Sequence, residues 1–352
     1  MDSPFRILLS PIALIYGIVV RIRNLLFDFG FIKSVEPEKP TICVGNITVG
    51  GTGKTPHVDY LVELLTPLLK VSTLSRGYGR RTKGFRYVDI TSDSAEVGDE
   101  PLQLKLKHPG VVVSVCERRV DGINRLAQDH PDLDIILLDD AFQHRYVKPG
   151  LSILLVDYNQ PVTHDHFLPW GRLRDSVREK RRADIVIVTK CPDNLSREEQ
   201  FRIQSELRLS DNQNLFFTRV EYGAVFPIFS GVNRNIFLSK EFKTIAIAGI
   251  ANPKPFCQYL AKNTSLVGVL TFPDHFQYTQ SKIHSIFDAP LKRQVPDSVF
   301  ITTEKDAARI RGIKGLSDEI KQQLFYLPIG IRFLDGKEVE FNKIVFGYAR
   351  KN

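Results

Sequence analysis

At 352 residues, 43% apolar and 25% charged, the chain is long enough for two domains, or one large one, with ample core. A formal net charge of +8 favours anionic partners: nucleotides, phospholipid surfaces, phosphorylated sugars or nucleic acid. The four cysteines, Cys43, Cys116, Cys191 and Cys257, form no Cys-x-x-Cys pair, which argues against a zinc site or a disulfide framework and fits a reducing cytoplasm.

The first element is apolar. Ile7 to Val20 carries no charge, follows Phe5-Arg6 and precedes Arg21-Ile22-Arg23, and apolar character resumes through Phe31. The uncharged stretch is shorter than the ~20 residues of a bilayer span. No small-x-small cleavage site follows it, which argues against a secretory signal. The pattern suits a helix lying in the membrane interface with its arginines on headgroups. A helix buried against the body fits the composition as well.

Thr41-Ile42-Cys43-Val44 reads as a buried strand, and Gly50-Gly51-Thr52-Gly53-Lys54-Thr55 after it has what a phosphate-binding loop needs. Glycines let backbone N–H groups curl around phosphate oxygens, and Lys54 can reach the β- and γ-phosphates. Thr55 offers Mg²⁺ a hydroxyl, and the following helix N-terminus adds positive potential. The usual spacing puts a glycine at position 48, where this chain has Thr48. The alternative is a glycine turn that merely joins strand to helix.

His57 to Lys70 has the apolar spacing of a helix packed on a sheet. Val71 to Leu74 is a strand ending in Ser75-Arg76-Gly77-Tyr78-Gly79-Arg80-Arg81, either a phosphate clamp or a solvated basic turn. In Gly98-Asp99-Glu100-Pro101, Asp99 reads as a helix cap. A strand at Val111 to Val115 and a helix from Arg119 to His130 follow. Ile135 to Leu138 then runs into Asp139-Asp140, where carboxylates at a strand end can hold Mg²⁺ opposite Thr55; the sequence does not distinguish the two. Ile153 to Val156 and Ile185 to Val188 complete a series of short apolar runs. Such runs between helices predict a P-loop NTPase-like α/β fold: a parallel sheet covered on both faces, with ligands at the strands' carboxyl ends. Arg172 to Arg182 is strongly basic and suits anionic lipid, nucleic acid or a solvated helix face.

The rhythm changes near residues 211–240. Strands at Thr244 to Ala248, Val267 to Thr271 and Val299 to Thr302 predict a second, smaller α/β/α domain. Leu324 to Leu327 is expected to pair with the strand at 215–220, giving a linker of two chain crossings. The division expected is 1–30 for the interface helix, 31–220 for the phosphate-loop domain, 221–240 for the linker with its return strand near 324–333, and 241–352 for the second domain. Asp274-His275 reads, on its residues alone, as an Asp/His catalytic element or a lone surface histidine, the second being the favoured reading.

Together these stretches resemble one family, the tetraacyldisaccharide 4′-kinase of lipid A biosynthesis. The matching segments are Val44 to Pro56, Leu74 to Arg80, Gly98 to Pro101, Leu138 to His144, Gly249 to Phe256, Phe272 to His275 and Thr302 to Ala307. The Gly-Asn-x-Thr-x-Gly-Gly opening is the family's own form of the loop. The resemblance implies a membrane-associated kinase of two α/β/α domains that transfers the γ-phosphoryl of ATP to the 4′-hydroxyl of a lipid A disaccharide 1-phosphate. ATP is then expected on Asn46, Thr48, Gly50, Gly51, Thr52, Gly53, Lys54, Thr55 and Arg76. Mg²⁺ is expected on Thr55 and the Asp139/Asp140 pair. Asp99 becomes the expected general base, supported by His275, with Lys54 offsetting charge at the phosphates. The implied location is peripheral, on the cytoplasmic face of a Gram-negative inner membrane, with no nucleic acid as partner.

Two positions depart from the family pattern. Ala141 stands where a glycine usually follows the acid pair, and a common Arg-Glu-Pro appears as Arg174-Asp175-Ser176, leaving any acidic role there to Asp175. The rival readings are a kinase of a soluble sugar or nucleoside and a nucleotide-gated protein that binds nucleic acid.

Overall fold

The computed structural model describes residues 9–232 and 236–350. Residues 1–8 of the expected interface helix and residues 233–235 of the expected linker lie outside that description. Among the described residues fourteen strands form two sheets: β1 Thr41–Gly45, β2 Val71–Ser75, β3 Arg86–Tyr87, β4 Val112–Val115, β5 Ile135–Asp139, β6 Leu151–Asp157, β7 Ile185–Thr189, β8 Asn214–Tyr222, β9 Phe226–Pro227, β10 Lys243–Ala248, β11 Ser265–Thr271, β12 Val299–Thr303, β13 Leu324–Leu327 and β14 Ile329–Phe333. The first sheet runs β14-β8-β7-β6-β1-β5-β2-β4-β3. Its strands from β8 to β4 are parallel, and an antiparallel strand closes each edge. The second runs β11-β10-β12-β13-β9, parallel except for β9.

The uninterrupted apolar runs follow from burial on both faces. Ile42, Val44, Ile135, Leu137, Ile153 and Leu155 point into one core, together with Val58, Leu61 and Leu65 of α2 (Lys54–Leu65). The alternating residues Cys43, Ile136, Leu138, Leu154 and Val156 point into the other, against Ile123 and Leu126 of the helix Arg119–Asp129. α2 begins and ends earlier than its apolar spacing predicts. Gly53 caps its start at φ 87, a left-handed conformation that glycine adopts without a Cβ penalty. Thr66 keeps helical backbone (φ −59, ψ −27) and folds its hydroxyl back on the Val62 carbonyl at 2.8 Å, but Pro67 has no N–H with which to continue the helix.

The crossing between sheets differs from the expectation. Leu324–Leu327 stays in the second sheet, between β12 and β9. It is Ile329–Phe333 that pairs with β8, in the register Ile329 to Tyr222 through Phe333 to Thr218. The intervening Pro328 has no N–H to continue a ladder, and its carbonyl accepts from Gly223 N at 3.0 Å where the chain changes sheets. Two adjacent apolar runs look alike in sequence; the proline decides which one crosses.

The first described helix, α1 (Ser10–Asp28), buries one stripe: Ala13, Gly17, Val20, Asn24 and Phe27. Ile12, Leu14, Ile15, Ile18, Val19 and Ile22 are exposed on its other sides. It is long and apolar enough to cross a membrane by length and composition. Asp175 holds it to the body: buried, its Oδ1 accepts from Asn24 Nδ2 at 2.7 Å and from Ser176 N at 2.8 Å.

Candidate active site

The carboxyl ends of β1, β2 and β5 converge on the glycine loop. Gly50 (φ 104) and Gly53 (φ 87) take the left-handed conformations the loop requires. Position 48 requires no such conformation. Thr48 is buried and bridges to Leu173, and Val49 N donates to Arg172 O at 2.8 Å, so this half of the loop is held as extended backbone that any residue adopts. Buried Asn46 cross-braces the loop by donating to Thr52 Oγ1 at 2.9 Å. Lys54 and Thr55 open α2, where the unpaired N–H groups of the first turn favour anions.

The left-handed backbone of Asp140 (φ 48) reverses the chain directly after β5, and the two carboxylates have different partners. Asp140 faces cations: Lys54 Nζ is 3.7 Å from its Oδ1, and Arg174 Nη2 donates to Oδ1 at 3.0 Å. Asp139 is buried, and its Oδ1 has no hydrogen-bond partner. It lines a cavity of about 10 Å³, room for one water-sized sphere, together with Thr55, Ser75 and Glu100. Burial first, then the charges of Glu100 and Asp140, holds Asp139 well above the usual carboxylate range. For Asp140 burial acts in the same direction, but Lys54 and Arg174 outweigh it and hold the group low.

The helix α3 (Asp99–Lys107) begins beside this cavity, and its first two residues turn to different sides. Glu100 lines the cavity, while Asp99 reaches the second sheet. Asp99 is no helix cap: Gly98 occupies that position, and the carboxylate leaves the helix to accept from His275 Nδ1 at 2.8 Å. His275 is correspondingly not a lone surface histidine; it sits at φ 59 with a third of its side chain exposed. Arg309 also donates to Asp99 Oδ2, through Nε at 3.0 Å and Nη2 at 2.6 Å. Burial alone would raise Asp99, but the hydrogen bond and charge of Arg309, followed by His275 and Lys305, hold it below its ordinary value.

Residues 5–345 of this sequence match the family described as tetraacyldisaccharide-1-P 4′-kinase. The chain belongs to that family. A tetraacyldisaccharide 4′-kinase of Bacteroides thetaiotaomicron is 42% identical over 98% of this chain and 93% of its own length. That of Flavobacterium johnsoniae is 41% identical over 99% and 98%. The crystal structure of LpxK from Aquifex aeolicus, solved in complex with ATP, superposes with a TM-score of 0.77, at 27% identity over 98% of this chain and 99% of that one.

Several residues of this tetraacyldisaccharide-1-P 4′-kinase family member stand at the site although the sequence assigned them no role in it. Arg174 belongs to the basic stretch, yet its Nη2 joins Asp140 to Asn46 Oδ1 at 2.7 Å. Its neighbours are also committed inside the molecule: Arg181 pairs with Asp28 of α1, and Arg182 donates to Glu179 at 2.7 Å and to Phe142 O at 2.9 Å. Lys190, at φ 58 after β7, donates to Gly51 O and to Asp157 Oδ2, the latter at 2.7 Å. A lysine directly after the Ile185–Thr189 run was the available signal there. Within the basic Ser75–Arg81 turn the arginines part company. Arg76 is exposed, whereas Arg80 donates to Glu117 at 2.6 Å and to Gly84 O at 2.7 Å. Asp175 stands at the family's acidic position but points to α1, not to the loop.

Proposed function

We propose that the protein transfers the γ-phosphoryl group of ATP to the 4′-hydroxyl of a lipid A disaccharide 1-phosphate held in a membrane. The observation that carries this reading is the start of α3, where adjacent carboxylates face the phosphate-loop cavity and the Asp99–His275 pair. A nucleotide phosphate and an acceptor hydroxyl can therefore meet at one helix terminus.

The phosphates of ATP lie on the backbone N–H groups of Gly50 to Thr55, with Lys54 against the β- and γ-oxygens. Asn46, Thr48 and Arg174 keep that loop in shape, and Arg76 extends from the same strand-end cluster toward anionic substrate. Thr55, Glu100 and Asp139 bring oxygen donors of the kind a divalent cation takes to a small cavity also walled by Val58, Pro101, Leu104 and Val113, and the unpartnered Asp139 Oδ1 is a buried acceptor that a cation would satisfy. Asp139 and Thr55 would hold Mg²⁺, with Asp140 keeping Lys54 and Arg174 in register. When bound, the ion neutralises charge that develops on the transferring phosphoryl group.

In the transfer, the 4′-oxygen forms its bond to the γ-phosphorus as the bond to the β–γ bridging oxygen breaks, and ADP leaves. The hydroxyl proton passes to Asp99, oriented by the His275 Nδ1–H on its other oxygen. A carboxylate held low is a weak base, but the transition state of phosphoryl transfer is loose, so the proton need only move late.

The two sheets are read as two domains, 31–220 and 241–352, linked through 221–240 and the return strand. The exposed apolar faces of α1 support peripheral attachment to the cytoplasmic leaflet of a Gram-negative inner membrane, where ATP is available. The reading involves no nucleic acid, and Arg174, Arg181 and Arg182 of the basic stretch pair with Asp140, Asp28 and Glu179. The test is incubation with ATP, Mg²⁺ and tetraacyldisaccharide 1-phosphate in mixed detergent micelles, with the lipid examined for a second phosphate. The proposal predicts a 4′-phosphorylated lipid and stoichiometric ADP. Bound ATP without any phosphorylated lipid would sink it.

A further inference from the structure

The second sheet supplies a buried guanidinium that the proposed chemistry has not yet used. Arg309 lies on the helix α4 (Glu304–Arg311), with its side chain 1% exposed. Two of its nitrogens grip Asp99 Oδ2, at 3.0 Å and 2.6 Å. Its third, Nη1, donates to Asp306 Oδ1 at 2.8 Å and to Gly249 O at 2.9 Å. Asp306 is fully buried, and its other oxygen accepts from Gly249 N at 2.9 Å and Thr303 Oγ1 at 2.8 Å. The fork is therefore fixed from behind by the end of β10 and the start of its own helix before it meets Asp99.

We infer that Arg309 is a positioning residue of the acceptor site, fixing the Asp99 carboxylate so that Oδ1 is presented to the substrate hydroxyl while Oδ2 is held by the second sheet. Three N–H groups, two from Arg309 and one from His275, converge on Oδ2, and Oδ1 accepts from none of them. His275 alone does not define that geometry, because one hydrogen bond leaves the carboxylate free to rotate about it. Three donors arriving at Oδ2 from different directions narrow that freedom, and arginine supplies two of them in a rigid plane where lysine would supply a point charge. Placement matters because an ångström of displacement costs on the order of 10²-fold in rate when reacting atoms are held together. Asp306 then acts one step further back, keeping the guanidinium aimed. The arrangement also makes the acceptor site complete only when the two sheets are docked, since Asp99 and Arg309 come from different ones.

This inference rests on the phosphoryl-transfer reading, so lipid phosphorylation by the wild type is measured in the same assay. Absence of wild-type product would defeat that reading, whereas normal product from the Arg309 variants would defeat only this one. Steady-state constants for ATP and lipid are compared among wild type, Arg309→Lys, Arg309→Ala and Asp306→Asn. Arg309→Ala is expected to lose roughly 10²-fold in kcat, and Arg309→Lys and Asp306→Asn roughly 10-fold, with both KM values within about 3-fold of wild type. Ethylguanidinium added to Arg309→Ala should restore part of kcat, and should do nothing for Asp99→Asn. A purely structural ion pair would instead lower the unfolding midpoint and the active fraction, with no rescue. If Arg309→Ala does not fold, the folded lysine and asparagine variants decide: kcat equal to wild type in both overturns the inference, as does absence of rescue in a folded alanine variant.

Discussion

Asp139 and Asp140 are neighbours in sequence with opposite surroundings. Asp139 faces a small cavity with one oxygen unpartnered and is pushed up by burial and by Glu100; Asp140 sits between Lys54 and Arg174 and is held low. The two asparagine variants should therefore fail differently. Asp139→Asn should raise the Mg²⁺ concentration for half-maximal rate by ~10-fold or more, the scale on which loss of a carboxylate ligand or its support acts. Asp140→Asn should leave the Mg²⁺ requirement near wild type and raise KM for ATP, because Lys54 and Arg174 lose their common anchor. A Mg²⁺ titration of both variants checks this, and the reverse assignment would contradict it. Sequence alone could not separate the pair, because the difference arises from a left-handed turn at Asp140 and from partners 86 and 34 residues away in the chain.

At the scale of elements, α2 is tied to the first sheet by His57, which is buried one turn after the loop. The neutral ring donates from Nδ1 to Gly53 O at 2.7 Å and accepts at Nε2 from Thr218 Oγ1 at 3.1 Å. Burial lowers His57 to about 4, against an ordinary value near 6.5, with the Gly53 hydrogen bond opposing the shift. The folded state then binds fewer protons than the unfolded one between those values. His57 is no stability burden above pH ~6.5, and stability falls as pH drops from there toward 4, by up to about 3 kcal/mol. The unfolding midpoint of wild type should fall more steeply over that window than that of His57→Gln; equal slopes would contradict the assignment. For α1, changing exposed Ile15 and Ile18 to glutamate should abolish sedimentation with anionic vesicles while leaving the unfolding midpoint within about 2 °C, since neither side chain is buried. Continued vesicle binding would remove α1 as the anchor. The core reading describes one side of this helix: a stripe at three- and four-residue spacing packs on the body, and apolar residues also occupy the exposed remainder, the side the interface proposal needs. Composition could not reveal this, because both sides use the same residue types.

Across the whole molecule, the parallel order of the central strands was legible because strands buried on both faces read as short continuous apolar runs, and the site lies where those runs end. The glycine loop was legible for the same reason, and Thr48 was only an apparent defect: that position is extended, so a glycine there is unnecessary. What could not be read from residues alone were contacts between the two sheets. Asp99 looks like a helix cap because acids open helices, and His275 looks solvent-facing because Pro273-Asp274 precedes it; only the docking of the sheets brings the two within 2.8 Å. The family resemblance anticipated that pairing, whereas Arg309 had no signal, being one cation among several on a short helix. Leu324–Leu327 misled because periodicity is blind to which sheet a strand joins. Asp99 is therefore the decisive residue, where the helix that lines the phosphate-loop cavity meets the second sheet. The most direct test measures lipid phosphorylation and ATP affinity together for wild type and Asp99→Ala. A proton-accepting Asp99 requires kcat of the alanine variant to fall roughly 10²- to 10⁴-fold, with ATP affinity within about 3-fold of wild type. Retained kcat, or collapse of ATP binding along with it, would contradict a proton-accepting role for Asp99.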